Sequence, residues 1–261
     1  MPVLSEHIED GVATLTFNRP ERRNALNEEL MAALVEAFPR LGADTSVRAI
    51  VLIGAGSVFC SGGDIKMMAD APHDLTYEQH VQIKRPRNMP PLLIRECPKV
   101  VIAAINGGAH GAGLALAAAC DLRIAVEGAS FNMGFANMAA SGDYGGSYLF
   151  TKLIGAAKTR EMYLLPETFD AAHAQALGLV NRVVPADQFA AEVAAMARRI
   201  ADGPTVAYTY MKKNLMAAET RSLAEIIDME VMHQSRTSMS EDHREAAAAF
   251  LEKRKPNFKG R

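Results

Sequence analysis

Residues 101–126 read VIAAINGGAHGAGLALAAACDLRIAV. Val101–Ile105 completes the apolar run Lys99–Ile105 (KVVIAAI), the signature of a buried strand. The glycine cluster Asn106-Gly107-Gly108-Ala109-His110-Gly111-Ala112-Gly113 breaks it with a turn. Leu114–Cys120 then reads as a short apolar helix and Leu122–Val126 as another strand. Upstream, Arg48–Ile53 (RAIVLI) is a strand running into Gly54-Ala55-Gly56. Near-continuous Val, Ile and Leu runs separated by helices predict strands covered on both faces, hence an α/β architecture.

Further out, Val12–Phe17 (VATLTF) is rich in β-formers and stops at the turn Asn18-Arg19-Pro20. Asn27 is placed to cap a helix whose apolar stripe is Leu30, Leu34, Ala37 and Leu41. Residues 71–96, with Pro72, Pro86, Pro90 and Pro91, form an interrupted helical region. Beyond Gly146 helices are expected at 147–154, 156–164 and 170–177, with a short strand at Leu179–Val184. Further helices are expected at 187–202, 204–218, 222–236 and 241–253.

Of the 261 residues, 49% are apolar and 22% charged, which suits a globule with a sizeable core and excludes a disordered chain. No apolar run nears the roughly 20 residues of a spanning helix. A balance of 28 basic and 30 acidic residues, net −2, lacks the basic field that nucleic-acid binding requires. Cys60, Cys97 and Cys120 cannot build a disulfide framework, and none has zinc-ligand spacing, so no metal is expected. Glu6, His7, Glu9 and Asp10 leave no room for a secretory apolar segment. The expectation is a soluble cytoplasmic protein with no nucleic-acid or membrane partner.

Two segments share the order strand, glycine turn, helix start: Val51–Ile53 leading to Phe59-Cys60-Ser61-Gly62-Gly63-Asp64-Ile65-Lys66, and Val101–Leu114. Such turns are either plain connections or a pair of unpaired helix-start amides aimed at one spot, an oxyanion hole. A dinucleotide site fails on order, because Gly108-x-x-Gly111-x-Gly113 reverses the required glycine spacing.

FNRPERRNAL (17–26), FCSGGDIKMM (59–68), AAINGGAHGAGLALAAACDLRIA (103–125), ALGLVNRVVP (176–185) and AFLEKRKPNFKG (249–260) occur in that order. Together they resemble the crotonase superfamily, the enoyl-CoA hydratases and isomerases, over essentially the whole chain. The resemblance implies a crotonase-like spiral of ββα units over residues 1–200 and a helical, trimer-forming region over 201–261. It implies an acyl-CoA thioester substrate, no cofactor beyond the CoA that substrate carries, and a homotrimer or dimer of trimers. The amides of Gly63 and Ala112 would hold the thioester oxygen; Ala112 replaces the commoner glycine but keeps the donor. Arg22, Arg23, Ala25, Ser61, Gly62, Asp64, Ile65 and Gly111 match positions that gather CoA, while Phe135 and Met138 are expected along the acyl group. Phe250 and Lys253 match residues that reach a neighbouring subunit's ligand.

The chain departs from the hydratase pattern at the two water-holding glutamates, which are replaced by Ala115 and Phe135. Asp143 remains, where several isomerases and the dehalogenase branch place a catalytic aspartate. The dehalogenase histidine has no match; its nearest counterpart is Pro90. Asp143 is therefore either a proton shuttle, with Met133, Phe135 and Met138 walling its pocket, or a turn residue capping the next helix. His110 and Tyr144 could touch substrate or serve packing, and Cys60 reads as a small buried hydrophobe. An isomerase-type shuttle is the leading expectation. An atypical hydratase or hydrolase using Asp143, or a non-catalytic acyl-CoA-binding or RNA-associated protein, are the alternatives.

Overall fold

The structure, a computed structural model, describes residues 2–70 and 74–261. Residues 71–73, including Pro72 at the start of the interrupted helical region, lie outside the described residues.

β1 (Leu4–Glu9) and β2 (Val12–Phe17) form a hairpin whose two-residue turn, Asp10-Gly11, has positive φ at both positions. In β2 the alternation puts Ala13, Leu15 and Phe17 inside. α1 (Glu28–Ala43) follows, and Asn27 caps it by accepting a hydrogen bond from the Leu30 amide at 3.0 Å. Its buried stripe includes the expected Leu30, Leu34, Ala37 and Leu41.

The chain then winds through strand pairs. Each pair contributes one strand to a large sheet and the next to a small one. β3 (Ala49–Gly54) leads to β4 (Val58–Cys60), followed by α2 (Ile65–Ala69), α3 (Tyr77–Arg87) and α4 (Pro90–Glu96). β5 (Val100–Ile105) leads to β6 (Gly108–His110) and α5 (Ala112–Ala119). β7 (Leu122–Val126) leads to β8 (Ser130–Asn132), then α6 (Gly146–Ile154) and α7 (Ala156–Leu164). β9 (Phe169–Asp170), α8 (Ala171–Ala176), β10 (Arg182–Val184) and α9 (Phe189–Ala201) complete the spiral. α10 (Thr205–Ala218), α11 (Leu223–Ser238) and α12 (Glu241–Leu251) end the chain.

The large sheet runs β1-β2-β3-β5-β7-β10, parallel from β2 onward, and the small one β4-β6-β8-β9. Ile50, Leu52, Val101, Ala103 and Ile105 face the main core with α1, α4 and α5. Their neighbours Val51, Ile102, Ala104 and Ile124 meet Phe189 and Ala197 of α9 on the other face. Burial on both faces is why these strands carry continuous apolar runs.

Two boundaries differ from expectation. α5 begins at Ala112 rather than Leu114, and every one of its residues is buried. The strand expected at Leu179–Val184 shrinks to β10, because the amides of Leu179 and Val180 bond back to the Ala174 carbonyl and close α8 instead.

Candidate active site

Three chain segments converge at the ends of β4 and β6. Asn24 is fully buried; its side-chain amide donates to the carbonyls of Ala55 (2.9 Å) and Val58 (2.6 Å), and its Oδ1 accepts from the Arg19 amide. Arg23 and Asn24 are both left-handed, which turns the chain toward the first glycine loop. There the Ser61 amide donates to the Arg23 carbonyl, Leu26 to Gly62, and Asp64 to Leu26. Arg22, Arg23, Ala25, Ser61, Gly62, Gly63 and Asp64, far apart in composition and role, thus share one seam. The Asp64 carboxylate caps α2 by accepting from the Lys66 and Met67 amides and takes the Arg19 guanidinium at 2.9 Å. That hydrogen bond holds its carboxyl below the usual carboxylate range. Ile65 points outward, 64% exposed.

The second glycine loop lies directly against the first. The Gly111 amide donates to the Asn132 carbonyl at 2.9 Å, and Gly111 takes a positive φ before the chain enters α5. A Cβ on Gly113 would stand 2.4 Å from the Cys60 carbonyl oxygen, so α5 seats on β4 only through a glycine. Neither the Gly63 nor the Ala112 amide donates to a hydrogen-bond partner among the described residues. Two free amides on adjoining loops, one of them at a helix start, are suited to an oxygen that gains negative charge. The methyl of Met68 covers Gly63, 2.2 Å from where a Cβ would lie.

A third loop carries Asp143. It does not cap α6: the residue before that helix is Gly145, and only the Asp143 main-chain carbonyl is engaged, by the Gly146 amide. The Asp143 carboxyl has no hydrogen bond or ion pair among the described residues. The residue reaches the surface, yet the protein crowded around its carboxyl raises its pKa through desolvation, with the Lys84 charge pulling the other way. Tyr144 takes a left-handed conformation, and its amide is pinned by Asn88 Oδ1 at 2.9 Å. Ala115 is buried inside α5, and Phe135 packs its ring on Tyr163 at 5.5 Å, close to Gly111. Neither can bear a proton. The expected wall holds only in part: Met133 belongs to the core, whereas Met138 is 51% exposed. The His110 ring is turned to Ser130 Oγ at 3.2 Å, and burial lowers its pKa. Cys60 is buried, its thiol pushed up to about 12 by desolvation.

The family model for enoyl-CoA hydratase/isomerase matches residues 7–261. The chain belongs to the enoyl-CoA hydratase/isomerase family. It is 35% identical to the 1,2-epoxyphenylacetyl-CoA isomerase of Escherichia coli K12 over 261 residues, 100% of either chain. An enoyl-CoA hydratase structure from Mycobacterium smegmatis matches with TM-score 0.92 and 34% identity, covering 99% of each chain. One from Polaromonas sp. JS666 matches with TM-score 0.89 and 32% identity, covering 98% of this chain and 99% of the other. The crotonase fold expected from the motifs is the fold observed, and the family acts on acyl-CoA thioesters.

Two of the expected residues are exposed on the single chain. Phe250 is 84% exposed, and Lys253 lies exposed just past the end of α12, which packs on α11. Met68, Lys84 and Tyr163 surround the site without having been singled out in the sequence. Met68 closes the FCSGGDIKMM stretch, whereas Lys84 and Tyr163 come from helices that carry no motif, so no local signal pointed to those two. Among the described residues, no helix is long and apolar enough to cross a membrane.

Proposed function

We propose that this enzyme isomerises an unsaturated or otherwise rearrangeable acyl-CoA, with Asp143 as the base that moves the proton. The observation that carries the reading is the uncommitted, desolvated Asp143 carboxyl in a chain whose positions 115 and 135 hold no carboxylate. Hydration in the usual way needs two carboxylates to hold one water; a shuttle needs one.

In this reading the Gly63 and Ala112 amides donate hydrogen bonds to the thioester oxygen. Asp143 removes a proton from the carbon beside the carbonyl, and the C–H electrons pass into an enolate whose charge rests on that oxygen. The protonated carboxyl then returns the proton to a carbon further along, and the double bond moves between them. Desolvation favours this cycle, because a raised pKa brings the carboxyl closer to the enolate's basicity. The relative named as an acyl-CoA isomerase supports the same class.

Arg22 and Arg23 are exposed cations suited to the phosphates of CoA, with Ala25, Ser61, Gly62, Ile65 and Gly111 shaping its path. Asp64 contributes by holding the loop, since its carboxylate is already occupied. Phe135 and Met138 flank the acyl group. Phe250 and Lys253 reach the ligand of a neighbouring protomer in a trimer or dimer of trimers, built through residues 201–261 on the core of residues 1–200. CoA enters as part of the substrate, with no separate cofactor.

The test is deuterium uptake from solvent into a β,γ-unsaturated acyl-CoA. Asp143→Asn keeps the shape and removes the base, so exchange and double-bond migration should both fall by roughly 10²–10⁴-fold. Full activity in that variant, or hydration outpacing migration in the wild type, would eliminate the reading.

A further inference from the structure

Glycines stand on both sides of Asp143, and one side chain from another helix fills the space they leave. A Cβ on Gly142 would lie 2.9 Å from Cε1 of Tyr163, and a Cβ on Gly146 would lie 2.4 Å from the Tyr163 hydroxyl. The Tyr163 phenol, delivered by α7, is therefore wedged between the two arms of the Asp143 loop. Phe135 and Phe150 hold its ring, with centroids at 5.5 and 6.3 Å.

The Tyr163 hydroxyl is buried and has no hydrogen-bond partner among the described residues. An unpaired buried hydroxyl is unfavourable, and phenylalanine would fill the same space without that cost. The Asp143 carboxyl is equally uncommitted. Burial and the Asp143 charge push the phenol up to about 12, so it keeps its proton across any working pH. A permanent donor thus sits against the loop that carries a free acceptor.

We propose that Tyr163 is a positioning residue for Asp143, donating a hydrogen bond to its carboxylate when acyl-CoA occupies the site. This rests on Asp143 being the base. The bond orients the carboxylate and favours its charged form, which offsets part of the desolvation. The other charged or titratable groups acting on this loop are Lys84 and Arg87 of α3, Tyr144, and Cys60 at the end of β4.

The experiment follows deuterium uptake into a β,γ-unsaturated acyl-CoA between pH 5 and 9 for wild type, Tyr163→Phe and Asp143→Asn. Removing the donor disfavours the carboxylate in the complex, so the acid-limb midpoint of kcat in Y163F should rise by about one pH unit. Exchange on the acid limb should fall about tenfold, while the alkaline plateau stays within about threefold of wild type. A midpoint that does not move, whether activity survives or is lost at every pH, overturns the proposal. Incorporating 3-fluorotyrosine at position 163 provides an independent arm that keeps the side chain's shape. Its stronger donor should move the midpoint down, and a static or upward midpoint counts against the bond. Exchange surviving in Asp143→Asn would sink the base itself. An inactive Asp143→Asn beside an unmoved Y163F midpoint would sink Tyr163 alone.

Discussion

The α-carbon of Gly62 faces the His110 carbonyl so closely that a Cβ there would stand 2.9 Å from its oxygen and 3.5 Å from the Ala112 amide nitrogen. The two glycine loops meet at this point because neither carries a side chain across it. Gly62 also has φ of +94°, a conformation that L side chains rarely adopt. Gly62→Ala should therefore cost about 1–2 kcal/mol in urea unfolding. It should also lower exchange by roughly 10–10²-fold, because displacing one loop by a few tenths of an ångström misaligns the amides. Wild-type turnover in this variant would show that the contact does not set their spacing.

Asp143 trades stability for reactivity. Its folded-state pKa lies above the unfolded value, so the native state holds the proton more tightly and stability falls as pH rises through that interval. At neutral pH the charged carboxyl opposes folding, and asparagine does not. Asp143→Asn should melt higher than wild type at pH 7. The gap should narrow as pH falls through the ordinary aspartate range, where the wild-type carboxyl becomes protonated in the folded and unfolded chain alike. Thermal unfolding at pH 3.5 and pH 7 measures this directly, and a less stable variant at pH 7 would contradict it.

Lys212 fastens α10 to the core. Its Nζ donates to Asp121 Oδ2 at 2.8 Å and to the carbonyls of Ile94 and Lys99 at 3.0 and 3.2 Å, with only 7% of the side chain exposed. Lys212→Ala leaves all three acceptors short of a partner and should cost about 2–4 kcal/mol. Denaturant unfolding gives the value. A loss under 1 kcal/mol would mean that water replaces the ammonium without penalty.

Phe250 and Lys253 offer a clean test of assembly, since both are exposed and removing them should leave the single-chain fold intact. The double variant Phe250→Ala, Lys253→Ala should keep its far-ultraviolet circular dichroism while binding CoA more weakly and sedimenting at lower mass. Deleting residues 240–261 goes further. Arg48 donates to the Phe258 carbonyl, so the tail is tied to the body, and inside the tail Asp242 accepts from the Lys259 and Gly260 amides. Truncation should cost stability as well as assembly. Unchanged mass and CoA affinity in both variants would refute the assignment.

Much of the architecture was legible along the chain. The run from Val100 to Ile105 reads as a strand buried on both sides, and Ile102 and Ala103 do face opposite cores. Asn27, Leu30, Leu34 and Leu41 announced α1 through local hydrogen bonding and 3.6-residue periodicity, which act within a few residues of each other. The Leu179–Val184 strand was overextended because apolar content alone cannot tell a strand from a buried segment whose amides bond elsewhere, here to Ala174.

At the site, residue identity alone tells what chemistry is missing and what remains: no carboxylate at 115 or 135, one at 143, and two glycine loops able to expose amides. These are facts of residue identity and local backbone freedom. That Asp143 caps nothing and that Gly62 abuts Ala112 became visible only in the folded chain. Folding likewise brought Tyr163 of α7 into the space between Gly142 and Gly146. Such meetings depend on how successive turns of the spiral stack. Packing between elements distant in sequence leaves no periodic trace in either one.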